Sequence, residues 1–450
     1  MNKIIQICSS ALFLLSVSAY AQDPAESIGL NQGEFLSLDS AITIAIKNNH
    51  GIAIARNNTQ IAANNARPGV SGLYPTLTVN GGATLNNNDS EIEFVTGETQ
   101  NVDGAQSLGT NANVTLSYTV FDGLRNWNAY RQAQTLEDAA VANQRLTVEN
   151  TLVSVIAQYY EVARQTQNFG IAQEAITISL DRYNRAELRK ELGAGVTLDL
   201  LNAEVDLNRD SVNFRSAGTQ LLNAKRTLSV LMGLNPTTDF TVETEVQFSS
   251  LLTAEQFKSK ALQQNAALIA ARRNQRASDY AVSAANGQLF SPVISVNGGY
   301  GFNRQDSEAG FLVSNQATGW NVGVNLRWNL WDGQASQTRR DNARLQAENA
   351  RSQVLNTEQQ LAADIENAYT TYVNALYILR TEERNLETSK LNFERTRESF
   401  ALGQVTNTTY REAQLNYLRS EAALLNATYV AKVAEVRLLQ LSGILLDDNS

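Results

Sequence analysis

The chain of 450 residues is 43% hydrophobic and 18% charged, which excludes a disordered or low-complexity protein and allows a large core. Its 36 basic and 45 acidic residues give a net charge of −9, and the basic residues are dispersed, so nucleic acid is not an expected partner. A single cysteine, Cys8, and a single histidine, His50, exclude a disulfide framework and a thiolate or His-rich metal site, and leave a histidine-based triad no base other than His50.

The chain opens with Lys3, an apolar stretch from Ile4 to Val17 and the small-residue site Ala19-Tyr20-Ala21, which reads as a cleaved secretory signal over residues 1–21. Cys8 falls inside it, too early to carry a lipid, so an exported, unlipidated chain without cysteine is expected. Beyond it no apolar run reaches the ~18 residues that a membrane helix needs. Any membrane span must therefore be built of strands.

A helix is expected over residues 37–74, kinked or ended early by Pro68-Gly69. Two stretches of period-2 alternation follow, 75–85 and 111–121, with a polar loop over 86–110. Leu77, Val79, Val114, Leu116 and Tyr118 line one face; Thr76, Asn80, Asn113 and Thr115 line the other. Residues 124–192 contain no proline and read as one helix, about 100 Å long at ~1.5 Å per residue. A return helix over 196–232 and a short connecting segment over 234–252 complete the first half, His50 being read as a polar residue of its first helix. The second half repeats the order. A helix over 253–291 begins with a Thr253/Gln256 capping box, strands are expected at 293–302 and 321–331 around a loop at 303–318, a long helix at 334–402 and a return helix at 406–442.

The halves share landmarks. "LSYTVFDG" at 116–123 returns as "LRWNLWDG" at 326–333, and Gly193 with Gly403, Ala203 with Ala413 and Gly233 with Gly443 are each 210 apart; Pro75 and Pro292, and Asn48 and Asn265, are 217 apart. The chain thus reads as two copies of one unit, 22–233 and 253–450, joined by 234–252. Ile365, Tyr372, Leu379, Leu386, Phe393 and Phe400 recur every seven residues, matched by Val155, Val162, Phe169, Ile176 and Tyr183, a spacing that imposes left-handed coiled packing.

Strands of about ten residues with one apolar face suit a transmembrane barrel, with Tyr74, Phe121, Trp320 and Trp331 near strand ends as an aromatic girdle. The pattern alone fits a soluble sandwich equally well; the export signal and the long helices favour the membrane. Four strands cannot close in lipid, where an open edge has no hydrogen-bond partner, so two copies would give 8 strands and three would give 12, wide enough for a water-filled lumen.

Strand pairs followed by "FDG" or "WDG", the tips "LGAGVTLDLLNAE" and "LGQVTNTTYREAQ", and "LMGLNP" closing the first half resemble the TolC-like outer-membrane efflux proteins over essentially the whole mature chain. The resemblance implies an α+β membrane protein. Its parts would be a homotrimeric 12-stranded transmembrane β-barrel with four strands per protomer, continued by a periplasmic α-helical coiled-coil barrel. It implies an outer-membrane exit duct of a tripartite efflux or type I secretion system, passing drugs, small molecules or proteins. The partners would be outer-membrane lipid, a periplasmic adaptor and an inner-membrane transporter of the RND, ABC or MFS class. No cofactor, metal or enzymatic role is expected. A structural or adhesive periplasmic coiled-coil protein is the alternative, separated by whether the chain stays in the outer membrane after carbonate washing.

The resemblance also assigns residues. Gly193 and Gly403 fall at the helix turns that dock the adaptor, and Asp199 and Glu412 match positions where relatives carry carboxylates at the constriction. In a trimer each would form a cation-favouring ring of three; each equally suits a solvated residue of a first helical turn. Phe400 matches an aromatic of the constriction and also closes the heptad stripe. Thr409 stands where a second-half acid is frequent and Val405 where an arginine holds the gate, so a salt-bridge latch is not expected, and Arg411 is not expected to replace it.

Overall fold

The computed structural model describes residues 33–193, 197–248, 253–309 and 312–446; the expected signal segment lies outside them. In chain order the elements are β1 (Glu34–Leu36), α1 (Leu38–Asn48), α2 (His50–Asn65), β2 (Thr76–Glu93), β3 (Thr99–Phe121), α3 (Arg125–Glu191), α4 (Thr197–Leu231), β4 (Phe240–Val242), α5 (Ala254–Gln264), α6 (Ala266–Phe290), β5 (Val293–Ser307), β6 (Ser314–Arg327), α7 (Ala335–Ala401) and α8 (Asn407–Leu441). Two compact units result: one holds the chain up to Ile52, Ser154–Glu245 and Asn392–Leu425, the other Ala53–Val153, Val246–Leu391 and the chain from Asn426 onward. No helix among the described residues is long and apolar enough to cross a membrane.

In the first unit, β1 and β4 pair in parallel, Glu34 opposite Phe240 and Leu36 opposite Val242, with Leu36 and Phe240 fully buried. Tyr159 of α3 locks this small sheet. Its hydroxyl donates to the Leu36 carbonyl (3.0 Å) and accepts from the Glu243 N–H (3.0 Å), which gives a buried phenol both of its partners. Burial raises the Tyr159 pKa above its ordinary value. Lys225 bonds Asp239 at 2.7 Å and holds that carboxyl below the usual range.

The single helices expected over 37–74 and 253–291 are each broken, because an asparagine takes an extended conformation at the break, ψ 123° at Asn49 and 121° at Asn265. Each asparagine satisfies two helices at once. Asn49 Oδ1 accepts from the Ile52 N–H (3.1 Å) while its Nδ2 donates to the Leu231 carbonyl at the end of α4 (2.8 Å). In the second unit, Asn265 does the same with the Leu268 N–H (3.1 Å) and the Leu441 carbonyl of α8 (3.0 Å). The counterpart of Asn265 is therefore Asn49, not the Asn48 that a uniform 217-residue offset selects, and the caps Ser37 and Thr253 share this 216-residue offset. Helix α2 ends at Asn65, ahead of the expected 74, because the residue before Pro68 is sterically pushed out of the helical region. Replacing Asn265 by alanine removes a cap and orphans a helix-end carbonyl, an expected cost of about 2 kcal/mol read as faster amide exchange across 438–443.

In the second unit β2, β3, β5 and β6 form one antiparallel sheet in that order. The strands outrun the expected 75–85, 111–121 and 293–302. β2 and β3 continue through most of 86–110 to a short turn in which Phe94 N–H bonds the Glu98 carbonyl (2.9 Å), and β5 runs on to Ser307. Alternation stops at the edge of the apolar band, but the backbone ladder does not need it: Asn86, Asn87 and Asn88 still pair with Ser107, Gln106 and Ala105. Conversely β6 ends at Arg327, short of the expected 331.

The "FDG" and "WDG" motifs are strand-to-helix junctions. Asp122 Oδ2 accepts from the Asn126 N–H and Asp332 Oδ2 from the Ser336 N–H, both at 3.0 Å, so each aspartate satisfies the start of a long helix. The glycines supply left-handed backbone, φ +71° at Gly123 and +65° at Gly333. Helices α3 and α7 are both 67 residues long, and α4 and α8 both 35. Val155, Val162, Ile365, Tyr372 and Phe393 of the seven-residue stripes are buried.

Candidate functional site

Directly opposed residues of the sheet share a face, so the register sorts its side chains. One row reads Leu77, Leu116, Gly298, Val322; the next Val79, Val114, Tyr300, Trp320. These apolar side chains are exposed in the protomer, Val79 at 75% and Trp320 at 77%. On the opposite face the rows read Thr78, Thr115, Gly299, Asn321 and Asn80, Asn113, Gly301, Gly319, without a charge. Glycine makes this face low. A Cβ on Gly301 would meet the Asn113 Cβ at 2.9 Å, and one on Gly82 the Asn111 Oδ1 at 2.9 Å, so asparagines lie flat over glycines of the neighbouring strand. Asn80 Nδ2 bonds Asn113 Oδ1 at 3.0 Å across the ladder.

Tyr74 immediately precedes β2, Phe121 closes β3, and Trp331 lies four residues past the end of β6, all on the helix side of the sheet. Trp320 is in mid-strand rather than at a strand end, because β6 begins at Ser314; beside Tyr300 it borders the apolar band, beyond which Gln316 and Arg304 are polar.

The helix turns lie in the first unit. Gly193 (φ +70°) bonds the Lys190 carbonyl and Gly403 (φ +75°) the Phe400 carbonyl, each at 3.0 Å, and open space surrounds the Cβ position of both. Backbone conformation, not crowding, requires glycine there. Asp199 in the first turn of α4 and Glu412 of α8 are exposed. Thr409 has a local role: its N–H donates to the Thr406 hydroxyl (3.2 Å), and the two hydroxyls bond at 2.9 Å, capping α8. Phe400 stacks on Tyr410 at 4.7 Å, within a cluster where Phe393 also stacks on Tyr417 at 5.4 Å. Burial raises the Tyr410 pKa, and burial with the Glu421 and Glu174 charges pushes that of Tyr417 up to about 12, so both phenols stay neutral.

Arg411, set aside on sequence, is the centre of a buried charge cluster. Its guanidinium pairs with Asp210 (2.9 Å), approaches Asp206 (3.5 Å) and donates to Gln414 (3.0 Å). Arg182 of α3 reaches Asp206 at 2.5 Å, and the Ser179 hydroxyl donates to Asp210. Arg182, Asp210 and Arg411 are each at most 7% exposed, so the cluster ties α3, α4 and α8 together in a water-poor setting. The signal available in sequence was a set of charges at positions that the helical spacing turns inward. Among the described residues no group of histidine, cysteine, aspartate and glutamate could hold a metal ion.

Comparison with known proteins agrees with this geometry. The chain is 22% identical over 419 residues to the outer membrane efflux protein BepC of Brucella suis, covering 92% of this chain and 86% of that one. It is 24% identical over 330 residues to the outer membrane protein TolC of Vibrio cholerae, covering 72% and 74%. The fold superposes on the crystal structure of the Campylobacter jejuni CmeC outer membrane channel with a TM-score of 0.78, at 18% identity, over 91% of this chain and 86% of that one. The family model of the outer membrane efflux proteins matches residues 41–234 and 258–444, and the chain belongs to that family of TolC-like outer-membrane channels.

Proposed function

We propose that three copies of this chain form the outer-membrane exit duct of a tripartite efflux or type I secretion system. The carrying observation is the four-stranded sheet: one face exposes an apolar band, the other is polar and carries no charge in the rows behind that band, and β2 and β6 each leave an edge without a partner among the described residues. Such edges are not viable in lipid, and three sheets joined edge to edge give a closed barrel of 12 strands, wide enough for a water-filled lumen. The apolar band then faces lipid, with Tyr74, Phe121, Trp320 and Trp331 at its borders, and the Asn/Thr/Gly face lines the lumen.

On this reading the chain is a duplicated unit, 22–233 and 253–450 about a connecting segment, exported by its signal segment and left without a lipid anchor. The long helices extend into the periplasm as a coiled-coil barrel, and the Gly193 and Gly403 turns meet a periplasmic adaptor coupled to an RND, ABC or MFS transporter. Asp199 and Glu412, exposed near those turns, each form a ring of three carboxylates that favours cations; Thr409 and Phe400 shape the same constriction from inside the protomer.

The test is single-channel conductance of the purified protein in planar bilayers. Openings that favour cations, with selectivity reduced several-fold in Asp199→Ala and Glu412→Ala, are the expected result. Well-inserted trimers whose ion selectivity is the same in both variants would remove the carboxylate rings from the account. A chain released from membranes by carbonate would remove the barrel.

A further inference from the structure

We infer that a cavity beside the Gly403 turn is a binding site for a small oxyanion, a phosphate or carboxylate group. The cavity, about 370 Å³, is bounded by Arg182, Arg185 and Arg189 on one face of α3 and by Phe400, Val405 and Asn407 around the turn into α8. Arg182 is only 6% exposed, yet its Nε and Nη1 are buried without a hydrogen-bond partner; Nη2 alone reaches Asp206. Three donor directions on a buried guanidinium are rarely left this incomplete, since an unpaired buried donor carries its full desolvation cost. On the same cavity the Oδ1 of Asn407 is buried without a donor. A hydrogen phosphate presents both what Arg182 lacks, an acceptor, and what Asn407 lacks, a donor, whereas an ionised carboxylate supplies the acceptor alone.

Charge points the same way. Arg182 and Arg411 balance Asp206 and Asp210 inside the protomer, and the half-exposed Arg209 adds a third guanidinium on Asp206, so the two carboxylates are shared among three arginines. Arg185 is engaged with Asp181 at 2.9 Å, whereas Arg189 has no ion pair among the described residues. Asp199 also borders the cavity and is the one carboxylate that opposes an anion there. Asn407 opens α8, a helix of 35 residues whose first N–H groups add positive potential to this wall. Phe400 and Val405, both half-buried, form an apolar wall on one side of the cavity. An occupied site would bridge α3 to the first turn of α8, stiffening the Gly403 turn.

The site is tested by titrating the purified full-length protein with inorganic phosphate and, separately, with N-acetyl-glutamate amide, at constant ionic strength set by chloride. Saturable binding that weakens about tenfold in Asn407→Asp and less in Arg189→Gln is expected, because the new carboxylate supplies the anion internally without changing side-chain size. Tighter phosphate assigns the site to a free phosphoryl or inorganic anion, and tighter blocked glutamate assigns it to an acidic side chain of a bound protein. Absence of saturable binding by both, or unchanged affinity in a folded Asn407→Asp protein, overturns the site. Binding is read without conduction, so a failed duct and a failed anion site give different results.

Discussion

Replacing Arg411 by alanine is expected to destabilise the packing of α8 against α4 by about 3–5 kcal/mol, because it leaves the Asp210 carboxylate buried with one hydroxyl in place of a guanidinium. Asp206 loses one of its three arginine neighbours, and Gln414, fully buried, loses its donor. Such a loss speeds amide exchange in residues 407–415 by about a hundredfold or more, if that segment opens locally, while the small sheet of β1 and β4 keeps its protection. The pair need not add net stability over an apolar core. In the double substitution Arg411→Leu with Asp210→Asn the uncompensated charge is gone, and most of the lost protection returns. A single Arg411→Ala protein that exchanges like the parent would mean that water reaches Asp210 and that the cluster is not the tie described above. In the proposed duct the same substitution loosens α8 beside the turn and raises the fraction of time spent open in bilayer recordings.

What could be read from sequence and what could not follow from the range of the interactions. The four strands and the long helices were legible because their signals are periodic and local: alternation in Val114 to Val120, a seven-residue stripe from Ile365 to Phe393, and the proline-free spans 124–192 and 334–402. The helix breaks were not, since Asn49 and Asn265 break their helices to satisfy carbonyls of residues 182 and 176 positions away, Leu231 and Leu441. Strand ends were misplaced for a related reason. Alternation reports where a face is apolar, and the ladder continues past that band on backbone bonds alone, so Trp320 lay in mid-strand. At the turns, Asp199 and Glu412 were chosen from the resemblance, by their distance from Gly193 and Gly403, and the structure places both at the surface of the protomer. Arg411 was passed over because its partners come from a helix two hundred residues earlier; only the inward phase of Asp206, Asp210 and Arg411 together would have pointed to it.

Gly287→Ala is expected to lower the amount of correctly folded sheet sharply, with a cost of about 3 kcal/mol, although alanine is the better helix former by about 1 kcal/mol. Gly287 lies in α6, one turn before β5, and the carbonyl oxygen of Gly123 sits where its Cβ would be, inside van der Waals contact. The approach is mutual: a Cβ on Gly123 would lie 2.5 Å from the Gly287 carbonyl oxygen and 2.6 Å from the Ser291 Cβ. Neither obstacle is a flexible side chain that could rotate away. Relief requires the β3-to-α3 junction to separate from the α6-to-β5 junction, and those junctions set the register in which Phe121 meets Ile294. Gly333→Ala provides the control. It has the same left-handed demand as Gly123, φ +65°, but nothing lies within 4 Å of its Cβ position, so only the backbone penalty of about 1–2 kcal/mol applies. Thermal melting followed in the strand region of the circular dichroism spectrum, together with outer-membrane yield, separates the two. A much larger loss for Gly287→Ala than for Gly333→Ala means that close backbone approach at this junction, rather than glycine flexibility, holds the paired strands to the long helix; a loss for Gly287→Ala no greater than that for Gly333→Ala would mean that the two junctions separate at little cost and that the approach is not what holds them.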